Sequence, residues 1–261
     1  MSLIVSITHP EAIIMASDTK IITRITSEEY NQSNNIKMVS RGTESSEQRK
    51  TFEISNIGCL SFWGETTRTL TEINQFKEKF IKADDDIVSF SQKFYDFLKI
   101  DIKPDTDIGF HLGGYDRTGI RKLYHIFYGV QEGEEDKGIG FYKNEEDTGV
   151  INKYKILYNG KPQYTHEAII LLKELESRGY LVSPAEHTIE DNKNLAVSLI
   201  NHTARIISRY DSIQSVGGHI NVFIIYPGNR IIKECYPCTG EKEGFSKGSG
   251  DSINSGIGIW Q

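Results

Sequence analysis

The sequence predicts an α+β fold in which two β-sheets pack face to face with helices on the outside. Three observations predict it. Strand-like and helix-like segments alternate in groups, in the order strands, two helices, strands, two helices, strands. A singly wound parallel sheet would interleave strands and helices one at a time, whereas helices in sequential pairs suit layers. The chain opens on a hairpin signal, which puts its beginning inside a sheet instead of leaving it to fray. No interior stretch reads as a linker between two cores, so 1–261 is read as one domain, with a polar insertion at about 27–49 and a Gly- and Ser-rich tail at about 240–261.

The hairpin signal is two β-branched apolar runs, Leu3 to Ile7 and Ala12 to Ala16, around the polar turn Thr8-His-Pro-Glu11. Lys20 to Thr26 continues as a strand. From Ser27 to Arg49 the composition turns polar and predicts a surface loop. Lys50 to Ile54 alternates like a half-buried strand, and Gly58-Cys-Leu-Ser-Phe-Trp63 is a continuous apolar run ending at Gly64, which reads as a buried strand.

Two amphipathic helices follow. Thr67 to Ile81 carries Leu70, Ile73, Phe76 and Phe80 at steps of three and four. Asp84-Asp-Asp86 then places acids before Ile87, Phe90, Phe94, Tyr95 and Leu98, as a second helix start requires. Ile108 to Gly114 and Arg121 to Tyr128 are strands joined by the turn residues Tyr115-Asp-Arg-Thr-Gly119. Gln131 to Thr148, rich in Glu, Asp, Gly and Lys, predicts an exposed loop. Tyr154 to Tyr158 is a short strand closed by Asn159-Gly160. Tyr164 to Ser177 and Glu190 to Tyr210 are the second helix pair, and Ile220 to Tyr226 and Asn229 to Glu234 pair across Pro227-Gly228.

Composition narrows the function. A net charge of −6 offers no electrostatic footprint for nucleic acid or an anionic membrane. No apolar run approaches a membrane span, and Met1-Ser-Leu-Ile lacks the basic start of a signal peptide. Three cysteines, Cys59, Cys235 and Cys238, do not make a disulfide framework. A cytoplasmic protein is expected. Removal of Met1 before the small second residue would expose Ser2 with a free α-amine, a nucleophile and a base in one residue.

Against that possibility the spacing of other residues gains meaning. Asp18, within Ala16-Ser-Asp-Thr-Lys20, follows Ser2 by sixteen residues, and Gly64 follows Lys50 by fourteen with an apolar strand between. Gly113-Gly-Tyr-Asp116 precedes a turn and Ser215-Val-Gly-Gly218 a strand. In their order and spacing these islands resemble the proteasome β-subunit branch of the N-terminal nucleophile (Ntn) hydrolases, over residues 2 to 234.

The resemblance implies a four-layer αββα sandwich and amide-bond hydrolysis without a cofactor or metal. It implies a peptide or small-amide substrate and a homo-oligomer, of which a ring is one form, with neither nucleic acid nor membrane as partner. By position Ser2 is the nucleophile and its α-amine the proton acceptor. Asp18 and Lys50 are the charged pair beside it, the Gly64 N–H is the oxyanion donor, and Asp211 and Ser215 are helpers. The chemistry is coherent. An α-amine titrates near pH 7.7–8.0, and a neighbouring ammonium disfavours its protonation. General-base help is worth about 10²–10⁴ in rate, and one oxyanion donor about 2.7–4 kcal/mol.

The sequence also departs from the family pattern. The nucleophile is Ser, not the usual Thr, and the long polar stretch leaves Lys37 as a rival to Lys50. Tyr158-Asn-Gly160 stands where the family has a helper Ser-Gly, Val216 interrupts the Asp-x-x-Ser-Gly-Gly motif, and Phe62 and Trp63 put bulk before Gly64 where a substrate pocket is expected. A catalytically inactive subunit with an assembly role is therefore the alternative function. A third, a redox or metal protein built on Cys235-Tyr-Pro-Cys238, would need further soft ligands. The histidines show no metal spacing: His9 reads as a turn residue, and His202 and His219 as structural or surface groups.

Overall fold

The structure, a computed structural model, describes residues 3–30, 36–64, 66–82, 84–102, 108–129, 139–147, 155–160, 166–167, 169–170, 173–174, 177–178, 186–210 and 215–239. In chain order the strands are β1 (Ile4–His9), β2 (Ala12–Asp18), β3 (Lys20–Tyr30), β4 (Ile36–Glu47), β5 (Thr51–Ile54), β6 (Gly58–Trp63), β7 (Gly109–Tyr115), β8 (Arg121–Gly129), β9 (Gly140–Asp147), β10 (Ile156–Asn159), β11 (His219–Tyr226) and β12 (Arg230–Pro237). The helices are α1 (Thr66–Phe80), α2 (Ile87–Asp101) and α3 (Ile189–Tyr210). The protein is mixed α/β, and its described residues form three antiparallel sheets: β10-β1-β2-β11-β12, β5-β6-β7-β8-β9, and the two-stranded ribbon β3-β4.

The period-2 geometry of a strand sends successive side chains to opposite faces, and β2 uses both faces for burial. Ile14 and Ala16 join Leu3, Val5 and Ile7 of the neighbouring strand in a core closed by Ala196, Leu199, Ile200 and Ile207 of α3. Ile13 and Met15 point the other way, into a core with Phe223, Ile225, Cys59 and Tyr115. The outer face of the second sheet supplies Leu60, Phe62, Phe110, Leu112 and Ile126 to a third core, filled from the helices by Phe76, Phe90 and Phe94. A strand buried on both sides cannot alternate apolar with polar, which is why these segments read as continuous apolar runs.

Helix α2 starts where the acids predicted. Asp86 is its N-cap, accepting the Ser89 N–H at 2.9 Å, while Ser89 Oγ accepts the Asp86 N–H at 3.0 Å. Such a capping box satisfies two otherwise orphaned donors.

Three segments differ from the sequence reading. Ser27 to Arg49, expected as a loop, contributes most of the β3-β4 ribbon. Its polar composition hides the apolar alternation by which core strands are read from sequence. Gln131 to Thr148 contains β9, which the run of charge concealed. It is the edge strand of its sheet, and charged side chains are how edges avoid pairing with other chains. Asn159, read as a turn residue, is the last residue of β10, paired opposite Ile4. In the helix predicted over Tyr164 to Ser177, residues 166–167, 169–170, 173–174 and 177 are helical. The tail 240–261 lies outside the described residues.

Candidate functional site

Asp18 closes β2, and Lys50 immediately precedes β5. Lys50 Nζ donates to Asp18 Oδ2 at 2.8 Å and to the Lys20 carbonyl at 2.6 Å, with both side chains wholly buried. The carboxylate gathers backbone donors as well. Oδ1 accepts the Leu3 N–H at 2.8 Å, and Oδ2 accepts the N–H groups of Lys20 at 3.2 Å and Gly217 at 3.3 Å. One buried anion thus ties together the start of β1, the base of the ribbon, the entry to β5 and the turn before β11. Burial holds the Lys50 ammonium below the ordinary lysine range, and Asp18 opposes that shift. A buried charge persists only when paired and hydrogen-bonded, a condition this arrangement meets.

Gly64 is placed by β-sheet pairing. Phe62 N–H donates to the Lys50 carbonyl at 3.0 Å, so Gly64 stands two residues beyond a direct contact with the Lys50 backbone. Its φ of +108° is a conformation that favours glycine. Across the site, Ser215 is buried, and its Oγ has no hydrogen-bond partner among the described residues. Gly218 has φ +76°, and a Cβ there would lie 2.6 Å from Thr19 Oγ1, so this turn also requires glycine.

A second polar constellation sits between the two large sheets. Ser6 Oγ lies 2.8 Å from His111 Nδ1, and His111 Nε2 lies 2.7 Å from Asn159 Oδ1. The order serine, histidine, amide is that of a nucleophile, its base and an orienting group. Ser6 and His111 are both wholly buried, however, and no substrate reaches the hydroxyl. This set can hold strands together but cannot perform acyl transfer.

With this architecture in view, comparison with solved structures is informative. The fold is similar to that of Anbu. An Anbu (Gly-1) mutant from Hyphomicrobium sp. strain MC1 matches with a TM-score of 0.55 at 15% identity, over 92% of this chain and 88% of that one. Anbu (ancestral beta-subunit) from Yersinia bercovieri matches with a TM-score of 0.53 at 14% identity, over 88% and 86%. No family model and no curated protein matches the chain. These findings correct the family placement drawn from the motif islands. The chain is matched to no family model, and its likeness is to Anbu structures, at identities that carry a fold and not membership of the proteasome β-subunit branch.

On this Anbu-like fold the sequence-predicted residues fall as follows. Asp18, Lys50 and the Ser215–Gly218 turn come together, and β-pairing puts Gly64 two residues beyond Phe62, whose N–H meets the Lys50 carbonyl. Ser2 and Asp211 lie outside the described residues. Lys37 pairs with Glu29 near the far end of the ribbon, nine strand steps or about 30 Å along β3 from Lys20. Phe62 does not line a pocket: it is fully buried in the helix-facing core and stacks on Phe52. Trp63 lies over Gly109, where a Cβ would come within 2.6 Å of its Nε1.

Among the described residues no group of three or more His, Cys, Asp or Glu could hold a metal. Cys235 is exposed and Cys238 buried, and neither is in a disulfide. No helix among those residues is long and apolar enough to cross a membrane. Sequence reading missed Ser6, His111 and Asn159. The available signal was a histidine inside the apolar strand Ile108 to Gly114, a position that obliges a buried partner.

Proposed function

We propose that the protein is an N-terminal nucleophile amide hydrolase built on an Anbu-like, four-layer αββα arrangement, with Ser2 as nucleophile once Met1 is removed. The observation that carries this reading is the chain of contacts from the Leu3 N–H through Asp18 to Lys50 Nζ, at 2.8 Å on each side. Leu3 is covalently joined to Ser2, so the buried carboxylate holds the amide that follows the proposed nucleophile, and its other oxygen holds the ammonium. The three cores, two of them between a sheet and helices and one between the sheets, support the layered arrangement.

In this reading Ser2 Oγ attacks the amide carbonyl and its α-amine takes the hydroxyl proton. The proton passes to the departing nitrogen as the C–N bond breaks, leaving an ester on Ser2, and water attacks that ester with the amine again as base. Lys50, oriented by Asp18, disfavours protonation of the amine and so holds it as the free base, and the Gly64 N–H donates to the developing oxyanion. Asp211 and Ser215 are assigned as helpers. The substrate is a peptide or smaller amide, and the protein acts as a cytoplasmic homo-oligomer.

The test is the intact mass of the natively expressed protein before and after a hydroxyl-directed electrophile. The expected result is loss of Met1 and one adduct on Ser2, abolished in Ser2→Ala. Retention of Met1 in the native protein would overturn the proposal. One observation favours a second reading, an inactive assembly component: Asn159, which stands where the resembled pattern has a helper serine, commits its carbonyl to His111. That reading predicts an unlabelled protein whose assembly is unchanged in Ser2→Ala.

A further inference from the structure

The contacts of His111 reach four neighbouring strands of the two large sheets. The residue lies on β7, directly opposite Ser61 of β6 and His125 of β8. Its two ring nitrogens reach across the inter-sheet space to Ser6 of β1 and Asn159 of β10. Asn159 in turn pairs opposite Ile4, only two residues after Ser2. We propose that His111 is a positioning residue for the start of the chain: by gripping Ser6 and Asn159 together, it sets where β1 begins relative to Lys50 and Gly64. Its catalytic consequence rests on the function proposed above, but its structural content does not.

The chemistry requires one state of the ring. Asn159 Oδ1 is an acceptor, so Nε2 carries the hydrogen, and Nδ1 is left to accept the Ser6 hydroxyl proton. Both sides of the neutral imidazole are then satisfied, and the ring is locked in tautomer and orientation. Few titratable groups surround it. His125 stands perpendicular at 5.4 Å between ring centroids. Beyond His125 lies the Glu146–Lys155 ion pair, with 2.8 Å between its charged atoms. Among the described residues, β1 and β10 present the Ser6 hydroxyl and the Asn159 amide to the ring, and Ser61 of β6 stands opposite it in the sheet. Burial, and secondarily His125, hold the ring well below the ordinary histidine range, which keeps it neutral.

The consequence is geometric. Asp18 holds the Leu3 N–H, and His111 holds Ser6 and the flank of Ile4, so the first strand is pinned on both sides of its opening residues. A nucleophile mounted at its end would be displaced if either pin were lost, and an error of about 1 Å costs on the order of 10²-fold in rate.

The experiment compares His111→Phe, His111→Gln and Ser6→Ala with the parent by two readouts. The first is backbone hydrogen exchange at Leu3 and Ile4 against β12 as an internal control. The second is the rate and half-saturation of Ser2 labelling by the electrophile. His111→Phe should raise exchange at Leu3 and Ile4 about tenfold or more while β12 stays unchanged. It should slow maximal labelling by a similar factor, about tenfold, with half-saturation unmoved. Gln, whose amide offers one acceptor and one donor, should restore both readouts, and Ser6→Ala should fall between.

Uniform acceleration of exchange across β1 and β12 would overturn the proposal, as would His111→Phe with local exchange unchanged. Absence of labelling in the parent would refute the hydrolase reading alone, leaving the exchange result to decide the role of His111.

Discussion

Lys50 Nζ meets Asp18 Oδ2 at 2.8 Å with both side chains fully buried, although thirty-two residues separate them in sequence. Removing one member leaves the other charged in a site closed to water. Lys50→Met or Asp18→Asn should therefore each cost about 3–5 kcal/mol, the range for a broken buried pair. Chemical denaturation of the two single variants and the double variant measures this. The double should lose less than the sum of the singles, because no lone charge remains.

Acid should destabilise the protein through His125 and His111, neighbours across β7 and β8. Burial brings the His125 imidazole down to about 4, whereas in the unfolded chain it titrates near 6.5. The folded state therefore excludes a proton that the unfolded state accepts. The contribution of His125 is complete above about pH 6.5 and is lost as pH falls toward 4. At pH 5 the loss amounts to about 2 kcal/mol. His111 shifts in the same direction and adds to it. Urea unfolding at pH 7 and pH 5 tests the sign, and His125→Phe should flatten part of the dependence.

Gly58 opens β6 with φ +145°, and a Cβ built there would lie 2.1 Å from the Gly113 carbonyl oxygen. That oxygen belongs to the neighbouring strand and cannot swing aside. Gly58→Ala should cost about 3 kcal/mol or more, from backbone strain together with overpacking. A melting-temperature shift checks it. Gly119→Ala is the control for strain without a clash, since φ there is +80° and nothing lies within 4 Å of the added atom.

Phe76 is the hub of the helix-side core, its ring meeting those of Phe80, Phe90, Phe94 and Phe97 at centroid distances of 5.2, 5.5, 5.0 and 5.2 Å. Phe76→Ala should cost about 3–5 kcal/mol, the range for a truncated core aromatic. The loss should be largely cooperative and visible in denaturant midpoints. Phe80→Ala, at a position 40% exposed, should cost much less.

By itself the sequence determined the opening hairpin, the apolar core strands, the helix over Phe76 and the helix begun by Asp86. Each of these is written in local spacing, in a period of 2 or 3.6 and a cap. It also marked Asp18, Lys50 and Gly64 as residues worth following. Only the tertiary structure decided what these do to one another. That Lys50 reaches Asp18 depends on where a ribbon returns the chain, a length that polar composition did not disclose. That His111 is gripped from two other strands depends on a face-to-face contact between sheets. Strand periodicity says which face a side chain takes, but contacts between distant strands are set by how the sheets pack, and no local pattern records that packing.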